Sequence, residues 1–269
     1  MCMNTSSTDN QVVYGSIFAS GNVLIKGNPD AFNISVKATT EKNTEISLPL
    51  YTAREVQTSD FITFVVDSVE KTELIQTSEP RRVRGFEMDL DLDITEDAVV
   101  QMIFDPKLGD GIETSGRGSL RILLDQSSGL TMFGDVELTK GEYLFTLQNV
   151  INKRFEIEPG GAIKFNGSPT DATVDLEAIY TTRAAPYNLY PDNDDTKESL
   201  KKRIPVECHL NLQGELQSPT IVAGIEMPTA DPETRGILDN ATSTEDELMK
   251  QFISLLVINN FYSVSGYGI

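Results

Sequence analysis

The chain carries a single histidine, His209, and two cysteines, Cys2 and Cys208. His209 falls on the polar side of an alternating stretch, where the expectation is an exposed surface histidine rather than a general base. Two cysteines this far apart do not make a disulfide framework, and by themselves they cannot complete a zinc site. Cys208 alternates with apolar neighbours and reads as a small core residue, whereas Cys2 stands in a frayed terminus. This cysteine usage is compatible with both cytoplasm and periplasm. Carboxylates are abundant, so counting alone leaves room for a glycosidase pair. The sequence has no Trp, however, and so lacks the aromatic platforms common in sugar clefts. Asp192-Asn193-Asp194-Asp195 could offer oxygens to calcium, but the glycine and glutamate of a calcium-binding loop are not at their places, and it reads as a solvated acidic loop. "ETSGRGS" at 113–119 resembles a phosphate cradle only superficially, because no Gly-Lys-Ser/Thr follows. Gly-x-Ser-x-Gly is missing. No catalytic residue, metal site or cofactor is expected, and a reading as an enzyme such as a polysaccharide lyase lacks its constellation.

What, then, do the elements position? The 269 residues carry 41 acidic against 22 basic side chains, a net charge of −19. That balance argues against nucleic acid, whose phosphates need Lys/Arg clusters, and against simple docking on an anionic membrane surface. "FEMDLDLDIT" at 86–95 alternates almost perfectly. Side chains of a strand point to opposite faces with period two. Met88, Leu90, Leu92 and Ile94 therefore share one face, and Glu87, Asp89, Asp91 and Asp93 the other.

The same period runs through most of the chain. "IFASGNVLIKG", "AFNISVKATT" and "TEISLPLY" read as early strands, followed by the apolar run "FITFVVDSV" and a polar connection over 69–85. Leu120, Ile122 and Leu124 share a face, as do Leu130, Met132, Val136 and Leu138 with Gly134 among them. Tyr143, Phe145 and Leu147 are in step; after them come a strand, a Pro159-Gly160-Gly161 turn, and a strand through Ile163 and Phe165. Val174, Leu176 and Ala178 align, and after a long polar insertion at 184–203, expected to lie outside the sheet and move, Val206, Cys208, Leu210 and Leu212 resume the pattern. Only near the end does the period become helical. Thr244 and Glu247 fit a capping box, and Leu248, Phe252, Leu255 and Leu256 form one stripe. The reading is mainly β, with one late amphipathic helix. Three regions are expected: 1–85 with the early strands and connection, 86–228 with the main sheet, and 229–269 with a linker and the helix.

Residues 116–180 carry an ordered set of short motifs. Gly116 and Gly118 open a strand; Gly134, Val136, Leu138, Gly141 and Tyr143 follow; Gly161, Ile163, Phe165, Gly167 and Pro169 form what reads as a hairpin. In order and spacing this resembles the C-terminal region of TamB, the inner-membrane-anchored subunit of the translocation and assembly module, and the Leu-rich helix resembles the family's closing helix. The resemblance covers about 83–262. It implies a long, curled, antiparallel-rich sheet folded into a U-shaped trough, or β-taco, in a periplasmic segment whose membrane anchor lies elsewhere. It also implies phospholipid transport between the two membranes or assistance to outer-membrane protein assembly and secretion, with a TamA-like barrel as partner. Both ends of the chain read as cut from a longer protein.

On this reading the apolar strand residues, from Met88, Leu90 and Leu92 through Leu212, line a groove for phospholipid acyl chains, and Leu248, Phe252, Leu255 and Leu256 form a capping or partner helix. A strand of six residues spans about 20 Å, comparable to an extended acyl chain. Sheltering a sixteen-carbon tail from water is worth on the order of 12 kcal/mol. Open sheet edges would favour self-association of the isolated segment. Alternation alone fits a closed core equally well, and the competing reading is a surface β-solenoid or β-sandwich adhesin.

Overall fold

The structure is a computed structural model that describes residues 2–8, 14–28, 31–49, 86–105, 109–125, 129–147, 151–190 and 198–263. The run "FITFVVDSV", the connection at 69–85 and the Asp192–Asp195 cluster lie outside the described residues.

Among the described residues, fourteen strands form one sheet. They are β1 (Met3–Thr5), β2 (Tyr14–Ile17), β3 (Ala19–Asn28), β4 (Ala31–Thr40), β5 (Glu45–Pro49), β6 (Phe86–Ile94), β7 (Val99–Asp105), β8 (Asp110–Asp125), β9 (Gly129–Leu147), β10 (Ile151–Ile157), β11 (Ala162–Gly167), β12 (Thr173–Ala184), β13 (Ile204–Glu215) and β14 (Thr220–Glu226). The mainly-β expectation holds. Pairing is antiparallel except for β4 with β6 and β5 with β7, which are parallel.

Several strands are halves of one ribbon. β6 and β7 both run antiparallel to β8, β6 along its second half and β7 along its first. β4 and β5 likewise flank β3 and β2. The interruptions line up. Glu41 N and Thr44 Oγ1 both donate to Phe18 O at 2.8 Å. Val99 N donates to Thr44 O at 2.8 Å, and Thr95 N to Thr40 Oγ1 at 2.9 Å. The line continues through the register shift at Ser115/Gly116, where Thr114 Oγ1 donates to Lys140 O at 2.9 Å. Thr40, Thr44, Thr114 and Ser115, all on this line, are buried polar residues. The Thr40, Thr44 and Thr114 hydroxyls each bond a backbone group where the ladder is interrupted.

At the end of this line the sequence reading needs correcting. Pro159-Gly160-Gly161 does not reverse the chain. β10 and β11 are both antiparallel to β9, and both antiparallel to β12. The segment is therefore a bulge within one ribbon, held where Leu138 N donates to Gly161 O at 2.7 Å and Gly160 N to Leu138 O at 3.0 Å. Gly160 has φ +102°, a value that glycine adopts without a Cβ penalty. A Pro-Gly-Gly run serves a tight turn or a bulge equally well, and only the long neighbour β9 selects the bulge.

Among the described residues, the α-helix α1 (Glu198–Lys201) lies between β12 and β13, and α2 (Pro232–Ala241) and α3 (Glu245–Ile258) follow β14. α3 is the expected helix, with Thr244 Oγ1 accepting from Glu247 N at 3.3 Å. α2 was not expected. Its start signal was present, because Asp231 caps Thr234 N at 2.9 Å and Pro232 sits in the first turn, but its apolar stripe is short. Of the insertion at 184–203, residues 191–197 lie outside the described residues, and its described start packs on the sheet. Ala184 and Leu189 belong to the main core, and Asn188 Nδ2 donates to Phe261 O at 3.2 Å. Two small apolar anchors in a polar stretch suffice to tie its start down.

Candidate functional site

The inward face of β8 changes character along one strand. Ile112 is completely buried and Leu120 is 6 % exposed, while Ile122 and Leu124 are only partly covered. The difference lies in what stands over each end.

Over the first end is a closed core. Met102, Ile112, Tyr143 and Phe155 are successive register partners on β7, β8, β9 and β10. Phe252 of α3 stacks on Phe155 with ring centroids 6.2 Å apart, and Tyr180 lies 5.7 Å from the same ring. Leu138, Ile163, Val174, Leu176, Val206, Leu210 and Leu212 are buried in this core with Phe252, Leu255 and Leu256, and Phe145 packs against it. Leu248 of the helical stripe is partly exposed. Cys208 is buried as expected, and burial pushes its thiol up to about 12.

Over the second end the described residues place no helix. One row of register partners runs Ile25, Ile34, Met88, Leu124, Leu130; the next runs Val23, Val36, Leu90, Ile122, Met132. All are partly or largely exposed, Val23 and Ile25 at 64 %. Leu92 pairs with Leu120 beside them. Val136 and Phe165 join the band to the closed core. Gly134, opposite Leu120, has φ +125°, and a Cβ there would meet Ser119 O at 2.1 Å. A side chain at that position would force β8 and β9 apart.

The expected groove residues therefore divide. Met88, Leu90, Leu92, Ile122, Leu124, Leu130 and Met132 lie in the open band, whereas Tyr143, Ile163, Val174, Leu176, Val206, Leu210 and Leu212 lie beneath or beside the helices. Sequence reasoning did not include Val23, Ile25, Phe32, Ile34 and Val36 in the site. The alternation of Val23 and Ile25 was visible in "IFASGNVLIKG" and that of Phe32, Ile34 and Val36 in "AFNISVKATT", but the parallel pairing that joins β4 to β6 spans a long intervening segment and has no local signal.

The opposite face is charged and paired. Arg121 forms a two-pronged bridge to Asp89 at 2.7 and 3.1 Å, and Ser119 Oγ donates to Asp93 at 2.8 Å. Hydrogen bonding from Arg121 holds the Asp89 carboxyl below its ordinary range. Arg117 does the same for Glu137. His209 departs from expectation on this face. Its side chain is only 12 % exposed, and Nδ1 lies 2.8 Å from Glu177 Oε1.

The described residues thus form a mainly β protein whose long sheet has one apolar face, part covered by helices and part open. The family model for the TamB C-terminal domain matches residues 3–268, and the chain belongs to the TamB family. A comparison with curated proteins returns no match. Membership gives the chain a TamB-like role in the cell envelope, within a module that transports and assembles and in which the family's partner is TamA of the outer membrane. Among the described residues, no helix is long and apolar enough to cross a membrane.

Proposed function

We propose that this chain is the periplasmic part of a TamB-like bridge and that the open band on β3, β4, β6, β8 and β9 holds phospholipid acyl chains in transit between the membranes. The observation that carries the reading is the pair of apolar rows from Ile25 to Leu130 and from Val23 to Met132, left partly exposed while the same sheet face is closed elsewhere. Exposed apolar patches of this extent mark surfaces that meet a partner or a lipid. At a strand spacing of about 4.8 Å, five strands span about 19 Å, which matches the length of an extended acyl tail.

Among the described residues β1 pairs only with β2 and β14 only with β13, an arrangement that suits extension of the sheet by further strands. In the full-length protein such extension lengthens the band, and in the isolated segment it promotes self-association.

The test is site-specific photo-crosslinking in cells. A photoreactive residue at Leu90 or Leu124 should capture phospholipid, while one at Leu210, in the closed core, should not. Equal lipid capture at all positions, or none at Leu90 and Leu124, would remove the open band from the path. Capture of polysaccharide or host protein at Leu90 would instead support an adhesin.

A further inference from the structure

We propose that Glu207, His209 and Glu226, on the charged face behind the closed core, bind one divalent transition-metal ion, for which Zn2+ is the probe. Glu207 and His209 are two residues apart on β13 and therefore share a face. Glu226 is the register partner of Glu207 on β14. One ligand atom from each of the three residues lies within 4.8 Å of the others.

The imidazole is set for metal ligation. Nδ1 sits 2.8 Å from Glu177 Oε1 on β12. A carboxylate at that nitrogen fixes its proton there and leaves the Nε2 lone pair free, the arrangement that orients histidine ligands in zinc sites. Nε2 itself is buried and has no hydrogen-bond partner. It lies 3.7 Å from Glu207 Oε2, too far for a hydrogen bond. Two ligands at about 2.0–2.1 Å from a tetrahedral zinc stand about 3.3 Å apart, so a small side-chain rotation brings Glu207 and His209 to that separation, and the exposed Glu226 side chain has to swing in from within 4.8 Å. Among the described residues, no lysine or arginine pairs with Glu177, Glu207 or Glu226, so three carboxylates surround one imidazole without a compensating cation. Such a cluster attracts one. Solvent completes the coordination, and the site would pin the edge strand β14 to β13.

The competing reading is a protonated imidazole bridging Glu177 and Glu207 without metal. The experiment uses the whole chain carrying Cys2→Ser, which removes the exposed thiol as a competing ligand while leaving buried Cys208. After treatment with chelator, the protein is dialysed against ZnCl2, bound metal is counted by elemental mass spectrometry, and thermal unfolding is followed with and without Zn2+. One Zn2+ per chain and a raised Tm are expected. His209→Gln should weaken binding at least about 100-fold and Glu226→Gln at least about tenfold, with Glu177→Gln costing about tenfold through orientation alone. Glu226 is exposed on the edge strand, so its variant keeps the fold and decides the matter if His209→Gln does not. Undiminished binding by Glu226→Gln, no Zn2+ on the parent chain, or stabilisation produced by acidification but not by Zn2+ would each overturn the site.

Discussion

Thr182 Oγ1 donates to Asn259 Oδ1 at 2.9 Å across 77 residues of sequence. Tyr180 on the same strand donates to the same oxygen at 3.4 Å. Asn259 ends α3 in the left-handed conformation, with φ 52° and ψ 39°, and its backbone oxygen accepts from Arg203 Nη2 at 2.7 Å. One residue thus terminates the helix and ties it to β12 and to Arg203, the residue before β13.

From this follows a graded prediction. Asn259→Gly keeps the backbone conformation and loses only the side-chain acceptor, at a cost of about 1 kcal/mol. Asn259→Ala adds the left-handed penalty, for a total of about 2 kcal/mol or more. Urea unfolding midpoints of the two variants should fall in that order. Equal midpoints would mean the backbone conformation contributes nothing.

The division between closed and open parts of the sheet face predicts opposite responses to charge. Leu176 is 3 % exposed within the core that the helices help to close. Leu176→Arg buries an unpaired charge at a cost of several kcal/mol, a large share of ordinary domain stability. The variant should fail to accumulate or should melt far below the parent. Leu90→Arg lies in the open band, where the guanidinium can reach water, and should melt within a few degrees of the parent while losing lipid crosslinking. Circular dichroism melts of both variants measure this; a Leu90→Arg chain that unfolds like Leu176→Arg would show that the band is closed in solution.

Thiol reactivity should separate the two cysteines. Cys2 is exposed, whereas Cys208 is buried with its thiol pushed up to about 12 by desolvation. Since the thiolate is the reactive form, an Ellman titration of the native chain should find one thiol promptly and a second only in denaturant. Prompt reaction of both would require the β12–β13–β14 region to open readily.

Acid should destabilise the fold through identifiable carboxylates. The Thr234 amide and hydroxyl hold Asp231 below its ordinary range, and Ser243 and Thr244 do so for Glu247. Arg121 and Arg117 act likewise on Asp89 and Glu137. A carboxylate depressed in the folded state adds stability above its unfolded pKa, near 4, and loses it as pH falls through the folded value. The Tm should therefore drop between about pH 5 and about pH 3. Asp231→Asn, which removes one of these groups, should start lower at neutral pH and fall less steeply. A variant with an unchanged acid slope would take Asp231 out of the linkage.

Much of this protein is legible in its sequence. Period-two alternation is a local consequence of strand geometry, so Met88–Leu92, Leu120–Leu124 and Val174–Ala178 announced strands and their apolar faces directly. The capping box at Thr244 and Glu247 and the stripe ending at Leu256 announced α3 in the same way, because both act within a few turns. Motif order across 116–180 was enough to place the chain in its family, and Gly116, Gly118, Gly134 and Gly141 of those motifs stand where β8 and β9 approach.

Only the tertiary structure decided what each apolar face meets. The same alternation serves Leu90 in the open band and Leu176 in the closed core, and the difference is whether α3 and the anchors Ala184 and Leu189 stand over it. It also decided that Pro159-Gly160-Gly161 is a bulge, because a neighbouring strand, β9, runs past both halves of the ribbon and keeps them aligned. And it brought Glu226 beside Glu207 and His209, residues that share a cluster through cross-strand register. Register and coverage are set by contacts between distant segments, and no local spacing encodes them.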